Sequence, residues 1–166
     1  MIMMKKKWAA LSLAVALLAC VLMLSGCAAQ DAPASGKADA DLSALASELM
    51  DKGVFTDEMT QTDADIVNDL YGVTLSSSAE LWAYVSTGAT AEELVLLQAA
   101  DEDEAQAFEE AAKDRIEEQK ESFRDYVPAE VKTLEEAIIS RSGKYVAVCV
   151  AHDASAAGKV IGAYLG

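Results

Sequence analysis

The chain has 166 residues, 52% of them hydrophobic and 25% charged, with 28 acidic against 13 basic side chains and a net charge of −15. So acidic a chain lacks the basic footprint of a nucleic-acid binder. The length suffices for one sizeable core even after a leader is set aside.

The first element is that leader. Lys5, Lys6 and Lys7 precede an apolar run from Trp8 to Leu24, which ends in Leu24-Ser25-Gly26-Cys27. A basic start, an apolar stretch and small residues before a cut are the parts of a secretory signal. A cysteine directly after Leu-Ser-Gly resembles the bacterial lipoprotein signal. That resemblance implies diacylation of the Cys27 thiol, cleavage between Gly26 and Cys27, and attachment of the mature N-terminus to the outer face of a membrane. The apolar run is 17 residues long, at the short edge of the roughly 17–25 needed to span a bilayer. Lipid anchoring is therefore favoured over spanning. Residues 1–26 read as signal peptide, 27–40 as a lipid-anchored flexible tether with Pro33 and Gly36 as breakers, and 41–166 as a single domain. The tether would span roughly 20 Å as a flexible coil. All 28 acidic residues follow Cys27 and three of the 13 basic ones precede it, so the mature chain carries ten against 28, a net charge of −18. That charge repels the domain from anionic lipid. Cys20 leaves with the signal and Cys27 is acylated, so Cys149 stands without a disulfide partner.

Within the domain, Asp41 or Ser43 caps a helix running to Lys52, with Leu42, Leu45, Ala46 and Leu49 at helical spacing and Gly53 ending it. Val54, Phe55 and Met59 are expected to plug into the core. Thr62 or Asp63 opens a second short helix that Gly72 ends. Leu81, Ala83 and Val85 then alternate with Trp82 and Tyr84, the pattern of a strand apolar on both sides. Thr87-Gly88-Ala89-Thr90 is a turn, and Glu93 to Ala99 is the second strand of a hairpin. Asp101 to Arg124 is a long helix. Asp101 and Glu104 match a capping box, Ala105, Phe108, Ala112, Ile116, Gln119 and Phe123 form one stripe, and Glu109 pairs with Lys113. Pro128 prevents its continuation. Leu134 to Arg141 reads as a third strand, Ser142-Gly143 as a turn, Lys144 to Ala151 as a fourth strand, and Asp153 as the cap of a last helix. The expected fold is an α+β two-layer sandwich: a mostly antiparallel four-stranded sheet in ββαββα order, helices on one face, preceded by one or two short N-terminal helices.

Several segments carry a family resemblance: Leu70-Tyr71-Gly72, Gly88-Ala89-Thr90-Ala91-Glu92-Glu93, Gln119-Lys120-Glu121-Ser122-Phe123 with Asp125-Tyr126 and Pro128, and Gly143-Lys144-Tyr145-Val146. As an ordered set behind the leader they resemble the bacterial lipoprotein family called domain of unknown function 4358, over roughly Asp41 to Leu165. The resemblance implies a small exported domain, mostly of Gram-positive bacteria, and supplies no activity, cofactor or catalytic residue.

No residue set reads as catalytic, cofactor-binding or metal-ligating; the one assigned site is lipid attachment at Cys27. Cys149 and His152 end a strand three residues apart and point to opposite faces, so they do not form a dyad. Asp39-Ala40-Asp41 and Asp101 to Glu104 lack the glycine and terminal Glu of a hand-type calcium loop. Glu92, Glu93, Glu135 and Glu136 sit near strand starts and read as surface charges on hairpins. Trp82 and Tyr84 form an aromatic patch unless Tyr71 or the N-terminal helix covers them. The expected function is a non-enzymatic binding or interaction module, anchored outside the cell membrane and engaging an envelope protein or a small ligand. The alternatives are a cell-envelope hydrolase using the four glutamates and a small solute-binding lipoprotein.

Overall fold

The structure, a computed structural model, describes residues 39–166; the expected signal peptide, Cys27 and nearly all of the expected tether lie outside the described residues. The elements run α1 (Leu42–Asp51), β1 (Thr60–Thr62), α2 (Ala64–Tyr71), β2 (Glu80–Val85), β3 (Glu93–Gln98), α3 (Glu102–Tyr126), α4 (Ala129–Glu135), β4 (Ile138–Ser142), β5 (Tyr145–Val150) and α5 (Ala154–Leu165). The fold is α+β, with an open five-stranded antiparallel sheet in the order β1-β2-β3-β5-β4. Among the described residues no helix is long and apolar enough to cross a membrane.

Aspartates start four of the helices. The Asp41, Asp63, Asp101 and Asp153 carboxylates each accept a backbone N–H three residues on, as N-caps do. Gly72 stops α2 in the left-handed conformation at φ 63°. The capping box of α3 is displaced from its expected form: Glu104 accepts from Ala100 N and Ser76 N, each at 2.6 Å, and thereby ties the α2–β2 loop to the helix start.

The structure corrects the expected sandwich in three ways. First, the sheet has a fifth strand. Thr60–Thr62 has no apolar alternation to announce it, yet it pairs with the free edge of β2 and separates the two N-terminal helices. Second, residues 129–135 are helix and β4 begins only at Ile138. Pro128 ends α3, but its φ of −56° also starts α4, since proline is tolerated in a first helical turn. Leu134, read as a strand residue, is the buried anchor of α4.

Third, helices cover both faces of the sheet. Leu94, Leu96, Ala147 and Cys149 meet α1 and α5 through Leu45, Leu49 and Ile161. Val95, Leu97, Val146 and Val148 meet α2 and α3 through Val67, Tyr71, Phe108 and Ala112. Val150 continues that second layer against Ile116 and Leu134. Strands β3 and β5 are apolar on both sides, and each large side chain buried there contributes about 1.5–3 kcal/mol. A single helical layer would leave one of those faces in water. Val54 enters the core and Phe55 packs half-buried against it. Met59 is half-buried outside every core cluster. Trp82 and Tyr84 are half-buried on the α1 side, whereas Tyr71 lies on the other face.

Candidate functional site

One end of the sheet gathers most of the polar chemistry. It is the end where β2 finishes, β3 begins and β5 finishes, because Val85 pairs with Glu93 and Glu93 with Val150. The turn 86–92, the loop after α1 and the junction before α5 converge there. Glu92 and Glu93 are the two buried charged residues among those described, at 2% and 4% exposure. This overturns their reading as surface charges on a hairpin.

Strand alternation sends the two carboxylates to opposite faces. Glu92 points with Leu94 toward the α1 side. Its oxygens accept the backbone N–H groups of Thr56 (2.9 Å), Asp57 (2.8 Å) and His152 (3.2 Å), and the hydroxyl of Thr56 at 3.2 Å. One side chain thus ties the loop after α1 to the start of α5, where Asp153 N also donates to Val54 O. Beside it, the hydrogen bond from the Thr87 hydroxyl holds the Asp57 carboxyl below its ordinary range.

Glu93 points toward α2 and α3. Arg115 donates to it from Nη2 at 2.6 Å and from Nε at 3.1 Å, Gln119 approaches at 3.5 Å, and the Tyr71 hydroxyl donates to it as well. The Arg115 guanidinium also lies 5.1 Å from the centre of the Tyr71 ring and donates to Leu70 O at 3.2 Å. Burial, then the neighbouring Glu93 charge, push the Tyr71 hydroxyl well above its ordinary pKa of 10.0.

This network floors a cavity of about 300 Å³ between α2, α3 and the 86–92 turn, walled by Ile66, Leu70, Thr90 and Phe123. Ile66 is 46% exposed at its mouth. A second hollow of about 520 Å³ shares Leu70 and Arg115 and is bordered by Asp69, Glu110, Asp114 and Glu118.

The other sequence candidates do not join this site. Glu135 ends α4 and Glu136 follows it, both exposed, and Glu136 pairs with Lys132 at 3.9 Å. They do not stand at the strand start as expected. Cys149 is fully buried, and burial with the Glu92 charge pushes its thiol up to about 12. The His152 side chain is exposed, and only its backbone reaches Glu92. No cluster of three His, Cys, Asp or Glu side chains converges on a metal position among the described residues.

Arg115 was invisible as a site residue from sequence, although a signal existed. It lies three residues after Ala112 and four before Gln119, on the edge of the apolar stripe of α3. A cation at such a place needs a buried partner. The segments that carry the family resemblance also converge here: Tyr71, Glu92, Glu93, Gln119 and Phe123 all contribute to the site.

Residues 51–151 match the family described as Domain of unknown function (DUF4358), well over half of the chain, and the protein belongs to that family. No curated protein and no solved structure gives a significant match.

Proposed function

We propose that this family member is a membrane-anchored extracytoplasmic lipoprotein whose domain acts as a non-enzymatic binding or interaction module. The observation that carries the reading is the state of its two buried carboxylates. A general acid or base must reach a substrate proton with a free oxygen. Glu92 is occupied by three backbone N–H groups and Glu93 by Arg115, Tyr71 and Gln119. Because they point to opposite faces, the two cannot flank one scissile bond as glycosidase carboxylates do. The buried, protonated Cys149 thiol offers no nucleophile either. What stays accessible is a cavity with an apolar mouth, the usual character of a binding site.

The test is crosslinking and affinity capture of the lipidated protein from its own cells. A reproducible, near-stoichiometric envelope protein is the expected result. Turnover of an envelope glycan by the purified, folded protein would overturn the reading in favour of a hydrolase.

A further inference from the structure

We infer that the Ile66–Phe123 cavity and the neighbouring acidic hollow form one continuous docking surface for a basic, amphipathic segment of a partner protein. The inference rests on the reading of the domain as an interaction module and names the chemistry that the module would recognise.

Continuity comes from Leu70 and Arg115, which line both hollows. Arg115 contributes no free positive charge, because Glu93 neutralises it at 2.6 Å. On the long helix α3, Glu110, Asp114 and Glu118 recur every four residues and form one carboxylate strip, with Asp69 of α2 on the same hollow. Among the described residues no Lys or Arg pairs with any of these four. On the same helix Glu109 is bridged by both Lys113 and Arg141, and Glu117 by Lys120.

The adjacent strip, Arg115, Gln119 and Phe123, leads into the cavity with Ile66 and Leu70 opposite. Apolar side chains of an occupant would therefore enter the cavity while its cations meet the carboxylate strip. An anionic or purely apolar segment would leave four unpaired carboxylates beside it, so charge complementarity selects a basic one. A lipid surface is disfavoured for the same reason, since anionic headgroups would face these carboxylates.

The experiment places a photo-crosslinking residue at position 66 of the full chain, expressed in its own cells, and a second at exposed position 159 on α5, beneath the opposite face of the sheet. Adducts at position 66 are sequenced. The expected adduct carries a Lys- or Arg-rich segment with interspersed apolar residues. Its yield should fall roughly tenfold when Asp69→Asn, Asp114→Asn and Glu118→Gln are combined, since several exposed ion pairs are lost together. The exposed control set Asp51→Asn, Glu58→Gln and Glu135→Gln, which removes the same charge elsewhere, should change it less than twofold. Equal loss in both sets would reduce the effect to net charge and overturn the inference. An acidic or neutral adduct, or an adduct to a second copy of this chain, would also overturn it. Adducts at 159 with none at 66 would overturn the surface while sparing the interaction module. Absence of protein adducts at both positions, together with an empty affinity capture, would overturn both.

Discussion

Glu92 and Glu93 are neighbours in sequence and serve opposite layers of the domain. Glu92 fastens the loop after α1 and the start of α5 on one face, and Glu93 fastens α2 and α3 on the other. A one-residue step at the start of β3 therefore places a charge in each of two cores, each held by hydrogen bonds rather than by water. The cavity walled by Ile66 and Phe123 opens beside the second.

Removing Glu92 should loosen a specific pair of loops. Glu92→Ala leaves three backbone N–H groups without their acceptor, and at roughly 1–3 kcal/mol for each orphaned buried donor, discounted for partial exposure, the loss should be about 2–4 kcal/mol. Glu92→Gln keeps one carbonyl oxygen and should lose less. Urea unfolding gives the free energies. Hydrogen exchange should accelerate at Thr56, Asp57 and His152 ahead of the rest of the domain, and uniform acceleration would contradict the assigned role.

Arg115 and Glu93 should behave as a coupled pair. Arg115→Met leaves a buried carboxylate without its cation and should destabilise by about 3–5 kcal/mol. Combining it with Glu93→Leu should recover more than half of that loss, because the second change removes the stranded charge. A double-mutant cycle in urea checks this, and strictly additive losses would show that the two side chains do not stabilise each other.

Cys149 makes an alkaline prediction. The folded thiol is pushed up to about 12 from 9.0, by burial and then by the Glu92 charge. Above pH 9 the unfolded chain gives up this proton while the folded chain keeps it, so the unfolded state binds fewer protons and stability falls as pH rises, levelling off above about 12. The slope approaches about 1.4 kcal/mol per pH unit for one group. Tyr71, raised well above 10.0, adds a loss of the same sign at higher pH. Relative to Cys149→Ala, the wild-type protein should lose stability between pH 9 and 10.5. Parallel curves would show that the thiol titrates normally. Native protein should likewise resist thiol reagents at pH 8 until it is unfolded.

The anchor is tested by mass. Cys27→Ala should abolish the diacylglycerol mass increment and leave the uncleaved precursor. A variant that still gains the increment would show that another residue carries the lipid.

Local features of this domain were readable from its sequence because they depend on neighbours within a few residues. Capping aspartates, the glycine after α2, the two hairpins and the amphipathic stripe of α3 each express short-range geometry. The family resemblance, too, rests on short segments read in order. Tertiary structure alone decided how the layers stack. The double-sided apolarity of β3 and β5 required two helical layers, but no local rule says which helix covers which face. β1 exists only because β2 offers it an edge. Glu92 and Glu93 looked like surface charges because carboxylates near a turn usually are. Their burial depends on partners 22 to 60 residues away, Arg115 and Tyr71 for one and Thr56 and His152 for the other. Such pairings come together only when the chain closes on itself, which is why the site was not legible in the sequence.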